Sequence, residues 1–591
     1  MSYSPKSKKS HGKPQSKSAG DKQFAPLKPA TVTSANFSID PDALHFIPLG
    51  GSEQFGVNLN AYSIAGKWLA VDCGIGFAGH RFPGIDILLP DPQFLADRAE
   101  DLVGLIVTHA HEDHIGAVPH LWKRLQCPIY CSPFTAEIMK LKMADIPGNE
   151  RAKIIVVNPG DTVKIGPFTV GFIHVAHSIP NALACVIETS GGTVVHSGDW
   201  NLDPTPVIDD KTDEAAFRAA GDKGVMAYIG DSTNAEVQGR TGSEYEVEQG
   251  LTALFPEIEG RIAITLFASN VSRVRSICRA AKACNRKVVL MGRSLHRMTG
   301  AAFECGYLED IPDFIEERDM DRLRDDQVVI LLTGSQGEAN AQLARIARGD
   351  HQYVKFNKGD TVIFSARPIP GNEEEINAVK NNLSATGVNI ISTGDTAHTI
   401  HVSGHPCQDE ILDMISWVRP KIVIPVHGER TQLEAHAKLA RSAQVPSVVV
   451  PSNGSVIKLT ANGAEVIDHI STNLLAVEPN RIISAGHQAI SARRKLQFTG
   501  IVHITLVVDE RGVLADDAQI TTMGIIDPND PAELQFEEDI AIEVEDALAE
   551  LDKGSDVGDD VLAEQARVAV RRMVSQALGL KPKVSVHIVR L

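Results

Sequence analysis

Several features are scarce or missing in this chain of 591 residues. No apolar run reaches the ~18 residues that a membrane-spanning helix needs, so we expect no membrane anchor. The eight cysteines are scattered and form no CxxC pair. This pattern indicates reduced, mostly buried thiols and therefore a cytoplasmic compartment.

Positive charge does not balance negative charge either, and the formal net charge is −18. This balance argues against a generally basic coat for nucleic acid. It does not exclude a nucleic-acid enzyme, since a local basic channel and bound divalent cations can supply the field where it is needed. Residues 1–35 begin with the Lys/Ser-rich stretch MSYSPKSKKSHGKPQSKSAGDKQ, which has almost no apolar content, and we predict a disordered basic tail over 1–35. They lack the apolar segment of a secretory signal, and a solvated tail is favoured over an arm that holds RNA.

The stretch 103–118, VGLIVTHAHEDHIGAV, is the strongest functional signal in the chain. Its apolar start predicts a buried strand, and four potential metal ligands follow directly, namely His109, His111, Asp113 and His114. Side chains two apart in an extended segment point the same way, so His109 and His111 can hold one ion together. A turn into a helix would direct Asp113 and His114 at a second ion. A polar loop with incidental histidines is the alternative, but a strand that ends in a site is typical of open α/β folds.

This stretch resembles the HxHxDH signature of the metallo-β-lactamase superfamily. The resemblance implies further site residues, and each candidate follows an apolar run, where a strand is expected to end. In chain order these candidates are Asp72, His177, Asp199 and His427.

Seven further motifs narrow the resemblance. In chain order they are GDSTNAE, TLFASNVSR, VVLMGRS, LLTGSQGE, SARPIPGNE, HVSGH and PVHGE. Together they resemble the β-CASP group of nucleases and, within it, the bacterial RNase J family. The similarity runs from about residue 45 to 455, with a weaker match of layout through the C-terminal region. Several independent motifs in the right order are far more specific than the metal stretch alone.

Local patterns and this resemblance together predict the domain organisation. The length alone suggests about three domains, and repeated β-turn-α units between 221 and 368 indicate a parallel sheet flanked by helices. Because His427 arrives only afterwards, this unit is predicted to be inserted into the first domain. The predicted fold class is α/β, with a metallo-β-lactamase αβ/βα sandwich at 36–220 and 369–465, an inserted β-CASP α/β domain at 221–368, a linker at 466–490 and a small α+β C-terminal domain at 491–591.

The resemblance also implies a set of metal ligands. One divalent ion is assigned to His109, His111 and His177 and the other to Asp113, His114 and His427, with Asp199 bridging. Imidazole and carboxylate ligands without thiolate suit Zn²⁺, with Mn²⁺ as the alternative. Two ions ~3.5–4 Å apart can activate a water and hold both the attacking oxygen and a phosphate oxygen. Asp72 and Asp231 are expected to orient the ligands from behind.

The expected catalytic residues are Asp113, Asp199 and His405. A histidine such as His405 can donate a proton to the leaving oxygen or contact the scissile phosphate near neutral pH. The resemblance further implies substrate-binding residues, which are Ser269, Asn270, Val271, Gly334, Ser335, His401, Val402, Ser403, Gly404 and His405. Four arginines, 273, 275, 293 and 297, would add charge along the RNA path, although ordinary solvated arginines are an equal interpretation.

The expected function is a cytoplasmic, metal-dependent ribonuclease that acts in RNA decay and in rRNA and mRNA maturation. By resemblance it should degrade single-stranded RNA from 5′ to 3′, prefer a 5′-monophosphate, and also cleave internally. The C-terminal domain resembles the part that supports self-association in this family, so we expect a homodimer or homotetramer. Partners in an RNA-degradation complex are a further expectation.

Three alternatives differ from this interpretation in substrate or class. A small-molecule hydrolase such as a lactonase or thioesterase would not need the inserted domain or the HVSGH motif. DNA is a nearer alternative, because nothing in the sequence shows whether the 2′-hydroxyl is recognised. A non-catalytic RNA-binding scaffold would be expected to have lost some of the predicted ligands, and all are present.

Overall fold

The computed structural model describes residues 39–79, 81–369, 371–551 and 557–591. The predicted basic tail at 1–35 lies outside these residues. The described chain forms five β-sheets with helices packed around them. None of its helices is long and apolar enough to cross a membrane. All eight cysteines are free, and six of them are buried.

Two mixed sheets face each other and form a sandwich. The first has eight strands, in spatial order Gly463–His469, Ser455–Thr460, Leu44–Gly50, Leu59–Ile64, Lys67–Val71, Leu102–Val107, Ile129–Cys131 and Ile154–Val156. The second has seven, in the order Ser447–Val448, Ile422–Val426, Ala227–Asp231, Gly192–His196, Leu183–Thr189, Phe168–His174 and Thr162–Ile165. Successive side chains alternate between the faces of a strand, so Phe46 packs between the sheets while Ile47 packs on the outer face.

Helices cover the outer faces of both sheets. Those against the first sheet are Gln93–Ala96, Glu112–Ile115, Val118–Leu125 and Pro133–Ala144, and those against the second are Glu214–Lys223, Gln408–Val418 and Arg430–Ser442. Their apolar stripes close two further cores, one around Leu121 and Phe134 and the other around Phe217 and Ile411. The predicted αβ/βα sandwich is therefore confirmed.

The inserted domain is built on a parallel sheet whose two faces are both covered. Its strands are, in spatial order, Lys287–Met291, Val328–Leu332, Ile262–Thr265, Thr361–Phe364 and Asn389–Ile391. Its helices are Glu244–Leu254, Val271–Ala283, Arg293–Glu304, Gln342–Ala347 and Glu373–Ala385, with short 3₁₀ turns at Phe255–Glu257, Glu317–Arg322 and Asp325–Gln327. Ile262 and Ile264 face one core and Ala263 faces the other, as expected for a buried parallel sheet.

Two strands lie in a different sheet from the one that the predicted boundaries suggest. Ala227–Asp231 pairs in parallel with Gly192–His196 and Ile422–Val426, so it lies in the sandwich although the insertion was predicted from 221. Asn389–Ile391 pairs with Thr361–Phe364 and extends the inserted sheet beyond 368. Both strands are short apolar runs. The sheet that contains each of them depends on its pairing partners, and the sequence pattern does not reveal those partners.

The C-terminal part of the chain completes two smaller sheets. The residues predicted as a linker, 466–490, contain the strands of a hairpin that completes a four-stranded sheet in the order Arg481–Ser484, Leu474–Glu478, Ile87–Pro90 and Gly76–Phe77. Beyond it, Ile501–Val508 lies between Gln519–Met523 and Lys583–Arg590. The accompanying helices are Gln488–Thr499, Pro531–Ala549 and Asp559–Leu578, and the last two cover the buried side of the central strand.

Candidate metal centre

The predicted site residues meet at one edge of the sandwich because several strands end there. Asp72 follows Lys67–Val71, and His427 follows Ile422–Val426. Both residues have left-handed backbones, with φ of 62° at Asp72 and 56° at His427. This conformation is uncommon for residues other than glycine and costs free energy, so it is typical of functional sites.

The first cluster of ligand atoms consists of three imidazoles and a carboxylate. His109, His111, His177 and Asp199 each offer one ligand atom, and these atoms lie within 4.8 Å of one another. The Nδ1 atom of His111 lies 3.0 Å from Nε2 of His109 and 3.0 Å from Nε2 of His177. Three ring nitrogens therefore converge on one point, as they do around a bound cation.

The second cluster lies beside the first and shares Asp199 with it. Asp113, His114, Asp199 and His427 again place their ligand atoms within 4.8 Å of one another. The Oδ2 atom of Asp199 is 3.1 Å from Nε2 of His114 and 3.2 Å from Nε2 of His427. The same oxygen is 3.6 Å from Nε2 of His109. Imidazole and carboxylate donors in this arrangement fit divalent metal ions.

Asp72 orients one of these imidazoles from behind. Nδ1 of His114 donates to Oδ2 of Asp72 over 2.8 Å. The other carboxylate oxygen accepts from the backbone N–H of Thr108 at 2.8 Å and from its hydroxyl at 3.0 Å. The Asp72 hydrogen bond fixes the His114 tautomer and leaves Nε2 directed at Asp199, which is the usual role of a carboxylate behind a metal-binding histidine.

Asn58 is a site residue that the sequence analysis missed. Its side chain is buried, its Oδ1 atom accepts from Nδ1 of His427 at 3.1 Å, and its Nδ2 atom donates to the backbone carbonyl of Asp113 at 2.9 Å. It therefore holds two members of the second cluster in one orientation. A single asparagine near the start of a strand has no pattern that would identify this role from the sequence.

His405 is held beside the clusters by Asp231. Nδ1 of His405 donates to Oδ2 of Asp231 at 2.8 Å and lies 3.8 Å from Oδ2 of Asp199. The second carboxylate oxygen of Asp231 accepts from the N–H and the hydroxyl of Thr233, at 2.9 and 2.7 Å. We expected Asp231 to orient a metal ligand, and the structure places it directly against the predicted catalytic histidine.

The HVSGH segment, residues 401–405, is held in the site by hydrogen bonds to His177 and Asn234. The carbonyl of Gly404 accepts from Nδ1 of His177 at 2.7 Å, which leaves Nε2 of that ring for the first cluster. A Cβ atom at Gly404 would lie 2.8 Å from the His177 ring, so a larger residue would displace the imidazole. Asn234 donates to Oγ of Ser403 at 2.9 Å and to the carbonyl of His405 at 3.1 Å.

Burial and nearby carboxylates shift the pKa values of the site's histidines in opposite directions. Burial lowers the pKa of His177 to about 4, so that its ring is neutral near pH 7. Burial also lowers the pKa of His427, but the Asp199 carboxylate outweighs it and raises the pKa to about 9. At His405 the Asp231 carboxylate likewise outweighs burial, and the pKa lies above its ordinary value. The carboxylates thus favour positive charge at the positions where a divalent ion would replace protons.

The other predicted substrate-binding residues lie in the inserted domain. Ser269 is half-buried, Asn270 caps the helix that starts at Val271, and the side chain of Val271 is buried in the core. Gly334 has a φ of 119°, and Ser335 beside it is buried. These positions can offer backbone and hydroxyl groups to a ligand, whereas the side chain of Val271 cannot.

The sequence suggests that Arg273 adds charge along an open RNA path. The structure shows that it does not lie on an open surface. Its side chain is completely buried and forms a double ion pair with Glu244, at 2.5 and 2.9 Å. It also donates to the carbonyl of Ser365 at 2.9 Å and to Nδ1 of His401 at 3.3 Å. Arg275 and Arg297 pair with carboxylates on neighbouring loops, Asp310 and Asp145, while Arg293 is exposed.

A cleft that opens to solvent adjoins His177 on the side of the inserted domain. Its walls include His177, Val402, Ser403 and Gly404 from the sandwich and Ser272 from the insertion. The two domains therefore form one continuous surface next to the ligand atoms.

Known protein families match almost the whole chain. The description "Metallo-beta-lactamase superfamily" matches residues 57–293, "Ribonuclease J, beta-CASP domain" 259–383, "Zn-dependent metallo-hydrolase RNA specificity domain" 395–451 and "Ribonuclease J C-terminal domain" 488–591. The ribonuclease J of Sinorhizobium meliloti is 40% identical over 554 residues, which cover 93% of this chain and 98% of that relative. The chain belongs to the ribonuclease J family.

Further ribonuclease J relatives agree with this assignment. That of Mycolicibacterium smegmatis is 36% identical over 92% of this chain and 97% of its own length. That of Synechocystis is 34% identical over 92% of this chain and 86% of its own length. A crystal structure of a protein of unknown function from Enterococcus faecalis shares the fold, with a TM-score of 0.51 and 17% identity over 71% of this chain and all of that one.

Family membership confirms the enzyme class that the motifs predicted. The protein is a hydrolase of the ribonuclease J type, with metallo-β-lactamase and β-CASP domains. The match to an RNA specificity domain covers residues 395–451 and so includes the HVSGH segment and His427. The residues matched by the RNA specificity domain therefore include part of the candidate metal centre.

Proposed function

We propose that this ribonuclease degrades single-stranded RNA from 5′ to 3′, prefers a 5′-monophosphate end, and also cleaves internally. The observation that supports this proposal is the sharing of Asp199 between two adjacent His/Asp clusters, with His405 held next to it by Asp231. In the cytoplasm such an activity would serve RNA decay and the maturation of rRNA and mRNA.

We propose that the ligand atoms are divided between two ions. His109, His111 and His177 would hold one, and Asp113, His114 and His427 the other, with Asp199 between them. Zn²⁺ is the proposed metal and Mn²⁺ the alternative, because imidazole and carboxylate suit both. Bound there, such ions would lower the pKa of a water molecule and neutralise charge on the scissile phosphate.

The chain's own residues perform the remaining tasks. Asp72 and Asn58 hold His114 and His427 in the tautomers that direct Nε2 at Asp199. Because the Nδ1–H of His405 is committed to Asp231, its Nε2 is the atom that can serve the substrate. In the protonated ring that Asp231 favours, Nε2 would donate a hydrogen bond to the phosphate or a proton to the leaving 3′-oxygen.

The preference for a monophosphate end would come from the inserted domain. The loops at 269–270 and 334–335 follow parallel strands, where phosphate groups commonly bind. A terminal phosphate bound there would place the next linkage beside the ligand clusters, whereas the larger triphosphate would not fit the same pocket. Repeating this placement after each cut would give 5′-to-3′ degradation.

Self-association is proposed through the C-terminal domain. Its surface carries the exposed apolar side chains of Met523, Ile542 and Val561, with exposed fractions of 68%, 56% and 52%. A homodimer or homotetramer formed through this domain would cover these side chains. Light scattering from the purified protein measures this number, and a monomer would contradict the proposal. The same surface is available to partners in an RNA-degradation complex.

The activity is tested with 5′-labelled single-stranded RNA carrying a monophosphate or a triphosphate end. We expect release of labelled mononucleotide from the monophosphate RNA, slower release from the triphosphate RNA, and no release by His111→Ala. A matched DNA strand tests whether the sugar is recognised. Intact RNA in the presence of Zn²⁺ and Mn²⁺ would overturn the proposal, and cleavage of the DNA strand alone would identify a DNA nuclease.

A further inference from the structure

Arg367 lies between the two groups of loops that are predicted to bind nucleotide. Its backbone carbonyl accepts from the side-chain amide of Gln336 at 3.1 Å, and the same side chain accepts from the N–H of Ile369 at 2.8 Å. Gln336 is buried and directly follows Gly334 and Ser335. The loop at 334–336 therefore fixes the backbone from which the arginine side chain extends.

The guanidinium of Arg367 points towards the HVSGH segment. Its terminal nitrogen donates to Oδ1 of Asn234 at 3.2 Å. The amide nitrogen of the same Asn234 side chain donates to Oγ of Ser403 at 2.9 Å and to the carbonyl of His405 at 3.1 Å. A single side chain thus separates the cation from the segment that adjoins the ligand clusters.

No carboxylate of the described residues forms an ion pair with Arg367. The pKa of His401 is lowered to about 3, first by burial and then by the positive charges of Arg273 and Arg367. Both cations therefore act on the HVSGH segment. Arg273 is buried and forms a double ion pair with Glu244. Over the described residues Arg367 makes no ion pair, and its side chain is exposed. In a chain with a net charge of −18, an unpaired cation at this place is suited to an anion from outside.

We propose that Arg367 is a substrate-binding residue that holds a backbone phosphate of the RNA between the loop at 334–336 and the HVSGH segment. A guanidinium can offer two parallel N–H donors to a phosphate, and one of its nitrogens is already positioned by Asn234. The proposal rests on the proposed ribonuclease activity and adds a subsite between the 5′ end and the cut linkage. Because the contact is to a phosphate, it strengthens binding of any RNA sequence.

Kinetics and binding of full-length variants test the subsite. For Arg367→Ala we expect KM for a 5′-monophosphate RNA to rise about tenfold with little change in kcat, as for loss of one charge-assisted hydrogen bond. Arg367→Lys keeps the charge but loses the two parallel N–H donors of the guanidinium. Its KM should therefore lie between those of Arg367→Ala and wild type. The matched control is Arg322→Ala in the same domain, since the Arg322 side chain is 80% exposed and pairs only with Asp319 in the described structure.

The salt dependence of binding separates a phosphate contact from a positioning role. Affinity for a fluorescent single-stranded RNA is measured in chelator, where no turnover occurs, over a series of salt concentrations. The slope of log affinity against log salt should become shallower by about 0.7 in Arg367→Ala and stay at the wild-type value in Arg367→Lys and Arg322→Ala. An unchanged slope in Arg367→Ala, or a fall in kcat with unchanged KM, would overturn the subsite.

This design keeps the two proposals distinguishable. If wild type cleaves RNA but Arg367→Ala matches it in KM and in salt slope, the subsite is wrong and the ribonuclease activity stands. If wild type fails to cleave RNA, the activity proposal fails, and a shallower slope in Arg367→Ala would still identify Arg367 as a phosphate contact. Melting temperatures of all variants should match wild type, because the Arg367 side chain is exposed.

Discussion

The carboxylate of Asp231 lies 2.8 Å from Nδ1 of His405, although the two residues are 174 positions apart in the chain. Asp231 ends a central strand of the sandwich, and His405 follows the inserted domain. The pair therefore joins the rigid sheet to the segment that returns from the insertion, and it fixes which ring nitrogen of His405 faces the substrate.

Replacing that carboxylate by an amide tests the role of the pair. For Asp231→Asn we expect kcat to fall about 10²-fold, because an oriented general acid contributes 10²–10⁴-fold and the neutral amide no longer favours the protonated ring. KM and the metal content should change little. Asp222→Asn is the control, since its side chain is 78% exposed and pairs with Arg419 on the surface. Unchanged kcat, or loss of bound metal, would contradict this role.

Removing one ring from the first cluster should remove metal. His111 Nδ1 is 3.0 Å from both neighbouring ring nitrogens, so His111→Ala deletes the central donor of its cluster. We expect elemental analysis to find less bound metal per chain and RNA cleavage to be lost. His120→Ala should retain both, because His120 is not among the ligand clusters of the described residues. Full metal content in His111→Ala would exclude it as a ligand.

Asn58 provides a test of a residue that no motif identifies. Asn58→Ala removes the acceptor for Nδ1 of His427 and the donor to the carbonyl of Asp113. Loss of such a supporting contact typically lowers metal affinity 10–100-fold. Titration of the metal-free protein with Zn²⁺ measures this change, and Asn462→Ala, at an exposed turn, is the control. Equal affinity in the two variants would show that the His427 orientation does not depend on Asn58.

The buried Arg273 should act mainly on stability. Arg273→Met leaves the Glu244 carboxylate buried without its partner, which costs about 3–5 kcal/mol. The double variant Arg273→Met, Glu244→Leu should recover much of this loss, because no unpaired charge remains. Urea unfolding followed by circular dichroism measures both variants. A single variant as stable as wild type would show that the ion pair contributes little to the folded state.

Local sequence was enough to predict much of the fold and the metal stretch. His109, His111, Asp113 and His114 are nearly contiguous, and the apolar run before them shows where the strand ends. The helix Asp559–Leu578 is long, and its buried residues recur at helical spacing along the sequence. Contiguous ligands and long periodic elements depend on interactions a few residues apart, which the sequence displays directly.

Contacts between distant residues were beyond local patterns. The sequence around Arg273 does not show whether its side chain lies on an RNA path or in a buried ion pair. The packing of Glu244 against it places it in the ion pair. The strand Ala227–Asp231 reads like its neighbours in the insertion, but its hydrogen bonds place it in the sandwich. Pairing partners are set by chain topology, which short apolar runs do not encode individually.

The sequence by itself determined the ligand types, their order along the chain and the family to which their motifs belong. The tertiary structure decided which atoms meet: Asn58 with His427, Asp231 with His405, and Arg367 with the segment beside the clusters. The physical reason is that residue chemistry is a local property, whereas the orientation of a ring or a guanidinium depends on neighbours that folding brings from distant parts of the chain.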